Sequence, residues 1–128
     1  MKRGNGSALA SYAGVGAAAT AAHFAFMAVL VEAGGLPAWL ASGLGATVGA
    51  QVAFFGNRRL TFDHRGAIAP AWRRFMGTAM VGAALGMAIV AIAVALGAHY
   101  LLAQALATGL VLIVTFSINR QWTFGPRD

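Results

Sequence analysis

Three long runs without a charged side chain constrain this chain more than anything else in it: Gly4–Val31, Ala33–Gly56 and Phe75–Ile118. A helix needs about 20 predominantly apolar residues to cross a bilayer. The first two runs therefore hold one span each, and the third holds two, with a break at Gly97-Ala98-His99-Tyr100. The expected spans are Ala8–Val31, Leu36–Phe55, Phe75–Leu96 and Tyr100–Ile118. Composition points the same way, since only 9% of the 128 residues are charged, whereas a soluble domain carries about 25%. The apolar content is also too high for a disordered chain. The expected fold class is an all-α integral membrane protein of four transmembrane helices.

Lys2 and Arg3 precede the first run in the manner of a secretory signal, but its apolar stretch exceeds the usual core of about 7–15 residues. It reads as a span. Ala and Gly are frequent in all four segments, and Gly45-x-x-x-Gly49 and Gly82-x-x-x-Gly86 have the spacing that lets two backbones approach closely. Such spacings also arise by chance in a glycine-rich chain. The 9 basic residues fall in three places: Lys2 and Arg3; Arg58, Arg59, Arg65, Arg73 and Arg74; and Arg120 and Arg127. The connections between spans one and two and between three and four have none. Because cytoplasmic loops attract Lys and Arg, both termini and the central loop are expected in the cytoplasm. This placement explains the net charge of +6 without nucleic acid. The chain has no cysteine, so disulfides, thiol chemistry and Cys-ligated metals are excluded.

The segment after the second span, Asn57-Arg58-Arg59-Leu60-Thr61-Phe62, returns after the fourth as Asn119-Arg120-Gln121-Trp122-Thr123-Phe124, 62 positions later (119 − 57). Phe54 and Phe116 precede the two Asn residues at matching distances. Tyr12-x-Gly14 with Phe75-x-Gly77, and Gly34 with Gly97, repeat more weakly at an offset of 63 (97 − 34). The chain thus reads as two parallel-repeat helical hairpins, about 8–62 and 71–124, related by an axis along the membrane normal. Two readings of the repeated motif follow from its residue types. In one, Asn caps an inward-running helix, Arg complements the helix terminus, and Phe and Trp anchor at the interface. In the other, Asn57, Arg58, Arg59, Thr61, Asn119, Arg120 and Thr123 bind a phosphate or lipid head group, since the guanidinium fork suits phosphate oxygens. Phe62, Trp122 and Phe124 then pack on a sugar face or an isoprenoid chain.

Isolated polar residues inside the spans are His23, Gln51 and Gln104. They either line a polar path or bond across helices, the commoner use of such groups. Glu32 is the only acidic residue near a span and lies at its outer end, where it reaches water. Thr20, Thr47, Thr78, Thr108 and Thr115 can bond their own helix. His64 stands beside Asp63 in the basic loop, where it is expected to be solvated. Trp39 and Tyr100 fall near the outer boundary, Trp72 and Trp122 near the inner one. No nucleophile-base pair and no metal-ligand spacing is present, so no catalytic residue, metal or cofactor is expected.

The duplicated NR-x-x-TF pattern and the four spans resemble the GtrA-like family of small membrane proteins. Gly16-x-x-x-Thr20-x-x-His23, Pro37-x-x-x-Ala41-Ser42 and His99-Tyr100-Leu101-Leu102-Ala103-Gln104 are similar to its entry segment, outer turn and last span. The resemblance runs from about Tyr12 to Phe124. Family members often carry a further Asn four residues before each motif Asn. This chain has Ala53 and Thr115 there, so no role of that Asn is carried over. The resemblance implies flipping of a polyprenyl-phosphate-linked sugar across the cytoplasmic membrane of a prokaryote, for cell-surface polysaccharide or glycan synthesis. It implies a groove bordered by the first and third spans rather than a pore. The alternative is a non-transporting partner that recruits or stabilises a polyprenyl-phosphate glycosyltransferase. A small proton-coupled exporter ranks last, because Glu32 lies at the edge. Expected partners are the lipid-linked sugar, membrane lipids, a membrane glycosyltransferase and a second copy of the chain in a homodimer.

Overall fold

A computed structural model describes residues 5–61 and 67–118. All the regular structure among them is helical: α1 (Asn5–Glu32), α2 (Ala38–Gly56), a π-helical turn over Asn57–Thr61, α3 (Ile68–Ala95) and α4 (Tyr100–Ile118). Helices are what an apolar environment permits, since each satisfies its own backbone groups without water. Three stretches are long and apolar enough to cross a membrane, Leu9–Glu32, Ala38–Leu60 and Ile68–Ala95, and a shorter apolar stretch covers Tyr100–Val114.

The boundaries differ from expectation at instructive places. α3 begins at Ile68 rather than Phe75 and carries Trp72, Arg73 and Arg74 within its helix. At 28 residues, it is about 42 Å long against a hydrocarbon core of about 30 Å. Its first turns can therefore stand in the interface, where charge costs little. Asn57 stands at the C-cap of α2, but without breaking the helical path. Its dihedrals are helical, and its N–H donates to the carbonyls of Ala53 and Phe54, so α2 runs on into the π turn.

Both connections between paired helices turn through a glycine in the left-handed region: Gly35 (φ 67) after α1 and Gly97 (φ 103) after α3. At the second, the N–H of Ala98 donates to the Ala93 carbonyl and that of Gly97 to Val94, both at 3.0 Å, the Schellman pattern of a helix terminus. The left-handed glycine of the first turn is Gly35, not the Gly34 that pairs with Gly97 by local sequence. His99 then caps α4, its Nδ1 accepting from the N–H of Leu101 at 3.2 Å. Pro37, fixed in an extended conformation, opens α2.

α1 packs along α2, α2 along α3 and α3 along α4, whereas α1 and α4 meet only sparsely. At the end of the bundle that holds the two glycine turns, Met27, Val90, Ala41, Ala103 and Ala107 form a fully enclosed apolar cluster drawn from all four helices. The tightest contact is between α1 and α2. A Cβ placed on Gly45 would lie 2.7 Å from the His23 carbonyl oxygen, and one on Gly49 would lie 2.9 Å from that of Ala19. Both obstacles are backbone and cannot swing away. The matching pair in α3 behaves differently. Gly82 and Gly86 face only the side chain of Val111, at 3.3 and 3.9 Å.

Gly45→Ala should therefore lower stability by about 1–3 kcal/mol, the usual cost of overpacking. Gly14→Ala, at a position with open space around it, should leave the thermal unfolding temperature of the purified protein unchanged or slightly raised.

Candidate functional site: a cavity with a neutral polar floor

Between the helices lies a cavity of about 530 Å³ to which all four contribute. Expectation placed a groove between the first and third spans; α2 and α4 supply walls of it as well. Small residues make the room: Ala19, Ala46, Gly49 and Ala50 on one side, Ala79, Gly82, Ala83 and Gly86 on the other. Thr20, Thr78 and Leu112 line it and are exposed, so its margin is open. Towards the glycine turns it ends under the apolar cluster of Met27 and Val90. Towards the π turn it runs as far as Ala53 and Phe75, whose ring packs on Phe54 with centroids 5.5 Å apart.

The closed end of the cavity has a floor of hydrogen-bonded polar groups. Nε2 of His23 lies 3.1 Å from the carbonyl oxygen of Ser42, so Nε2 carries the hydrogen and donates it. The Ser42 hydroxyl donates to Oε1 of Gln104. Nε2 of Gln104 donates in turn to the Thr108 hydroxyl at 3.0 Å. Ser42 and Gln104 are only 1% and 2% exposed, so the chain of bonds is needed to offset their removal from water. The bond between them joins α2 to α4 and links positions 62 apart, the interval at which the NR-x-x-TF pattern recurs.

His23 and Gln104, expected on a polar path, thus both line the cavity. Gln51 does not. It faces α3, where Trp72 Nε1 donates to its Oε1 at 2.9 Å and its Nε2 approaches Met76 Sδ at 3.2 Å. Ser42 was read from the sequence only as part of a turn, yet it is the centre of the network. The signal was present, because Ser42 and Gln104 occupy matching places in the two halves and both are polar.

In the first motif the π turn gives successive side chains different surroundings. Asn57 and Arg58 are half-buried, while Arg59 and Leu60 are exposed. The turn packs on α1, where a Cβ on Gly56 would lie 2.8 Å from Val15 Cγ1. The two arginines are therefore unequal: Arg58 is held at the protein surface, and Arg59 projects from it. The side chain of Thr61 and the residues Phe62, Asn119, Arg120, Trp122, Thr123 and Phe124 lie outside what is described. Ala53, where the family pattern often has Asn, is on the cavity wall. Glu32 is the exposed last residue of α1.

Removing the Ser42 hydroxyl strands a buried amide oxygen, so Ser42→Ala should cost about 1–3 kcal/mol of stability. Trp72→Phe breaks a less buried bond and should cost no more than about 0.5–1.5 kcal/mol. Thermal unfolding of the two variants in the same detergent would order them.

A sequence profile described as GtrA/DPMS, transmembrane domain, matches residues 11–124. No curated protein and no solved structure matches the chain.

Proposed function

The chain belongs to the GtrA/DPMS transmembrane domain family, and from that premise we propose that it moves a polyprenyl-phosphate-linked sugar across a prokaryotic cytoplasmic membrane for surface polysaccharide or glycan synthesis. The observation that carries this reading is the cavity. It is lined by small residues, has a hydrogen-bonding floor at one end, and at the other reaches Ala53, five residues before the half-buried Arg58. A lipid-linked sugar presents matching parts. Its phosphate suits the guanidinium of Arg58, its hydroxyls suit Ser42, Gln104 and Thr108, and its polyprenyl tail can remain in lipid beside the open margin. The sparse contact between α1 and α4 leaves room for such a tail.

On this reading four spans form two hairpins in parallel orientation. The NR-x-x-TF motifs lie at the cytoplasmic face with both termini, and Arg120 supplies a second guanidinium. The spacing of Gly35 and Gly97, and of Ser42 and Gln104, supports the repeat. The positive-inside distribution of the 9 basic residues supports the orientation.

A second reading, the glycosyltransferase partner, has its own observation. Gly14, Ala17, Ala18, Ala21 and Ala25 share one face of α1 and are all exposed, a surface on which another membrane helix, or a second copy, packs closely. Glu32 lies at a helix end away from the cavity wall, which gives the proton-coupled exporter nothing further.

The test is transbilayer movement of a labelled polyprenyl-phosphate hexose in liposomes, comparing wild type with Arg58→Ala plus Arg120→Ala after equal insertion is verified. Movement well above empty liposomes, reduced at least about tenfold in the double variant (the loss of about 1.4 kcal/mol of phosphate contact), is expected. If well-folded protein moves no lipid, the partner reading replaces this one.

A further inference from the structure

We propose that the floor of the cavity is a subsite selective for an uncharged polyhydroxyl group, with Gln104 as the residue that reads it. The inference rests on the reading of a lipid-linked head group as ligand, and it names which head groups are admitted. Three helices converge there: His23 from α1, Ser42 from α2, Gln104 and Thr108 from α4. Their internal bonds leave capacity of both signs. Gln104 retains its second amide hydrogen, and the Thr108 hydroxyl, which accepts from Gln104, retains its own hydrogen and a second lone pair. A hydroxyl group, donor and acceptor at once, can use each of these. A carboxylate only accepts and an ammonium only donates, so either meets half of the floor with the wrong polarity.

Charge strengthens the selection. No Asp, Glu, Lys or Arg is among the described residues lining the cavity. An ionised group at this depth would be stripped of water with no opposite charge to meet it, a costly arrangement. The apolar cluster of Met27 and Val90 directly beyond the floor removes any further source of solvent on that side. Size agrees, since about 530 Å³ lies within the range that holds a small organic group, about 300–1,000 Å³.

The test uses the full chain in lipid nanodiscs at pH 8, where an ordinary imidazole is neutral. Three probes that carry no phosphate are compared: hexyl β-glucoside, hexyl β-glucuronide, and the hexyl glycoside of 6-amino-6-deoxyglucose. The expected result is protein-dependent binding of the glucoside at least about tenfold tighter than either charged probe. Gln104→Leu should abolish that preference while keeping the helical circular dichroism of wild type. Gln104→Glu should shift it towards the amino sugar. Equal binding of the three, no protein-dependent binding of the glucoside, or an unchanged preference in a folded Gln104→Leu would overturn the proposal. Because the probes lack phosphate and need not cross the bilayer, this outcome is independent of the liposome result. Selective binding with no lipid movement would remove the translocase and keep the subsite. Arginine-dependent movement with indifferent binding would do the reverse.

Discussion

At Gly45 and Gly49, α2 lies against the carbonyl oxygens of His23 and Ala19 with no room for a methyl group on either glycine. In a bilayer this contact does what hydrophobic burial does in water. Lipid tails are as apolar as leucine, so two helices gain little by hiding apolar surface from them. They associate through close van der Waals fit and hydrogen bonds instead. The fit at Gly45 also sets the chemistry of the interior. It draws the His23 ring onto the Ser42 carbonyl, which leaves the Ser42 hydroxyl directed across the bundle to Gln104. A bulkier residue at either glycine would move α1 outward, and the floor of the cavity would lose one of its three helices.

The second glycine pair has the same spacing and the opposite effect. Gly82 and Gly86 have no backbone pressed against them, only the branched side chain of Val111, and both line the cavity. Ala19 faces Gly49, whereas Val111 faces Gly82. The α1–α2 side of the cavity is thus closely packed and the α3–α4 side recessed.

Much of the fold was legible from the distribution of charge. Uncharged runs gave the helices, and the Gly97-Ala98-His99-Tyr100 break fell where the last turn lies. The errors came where one physical rule was asked to do another's work. Arg73 and Arg74 end an apolar run without ending a helix, because a helix 28 residues long projects beyond the hydrocarbon core. The candidate site was less legible, since hydropathy does not tell which way an amide faces. Gln51 and Gln104 look alike in sequence as lone amides in apolar spans. Register separates them, turning one towards Trp72 and the other towards Ser42. Ser42 escaped notice because one hydroxyl near a helix start needs no partner until its burial is known.

The positions of the cationic and neutral polar groups also restrict how one ligand can use both. Arg58 and Ser42 lie about 16 residues apart on one uninterrupted helical run, which at about 1.5 Å per residue places them about 24 Å from each other along the bundle. A hexosyl phosphate is far shorter than that. It cannot rest its phosphate on Arg58 and its hydroxyls on Gln104 at the same time. On the proposed translocase reading the two sets of groups are successive stations, the guanidinium meeting the anion at the interface and the neutral floor meeting the sugar once the head group has moved inward. The division is sensible on electrostatic grounds. A guanidinium is inexpensive where water reaches it, and an amide-hydroxyl network is the least costly polar surface that can be kept at the depth of Ser42. A group passing from one to the other leaves its phosphate without a cation on the described part of the cavity wall, so the inner station cannot be a deep trap for the whole head group. Weak binding at depth is what transit requires, since a carrier that held its cargo tightly there would not release it.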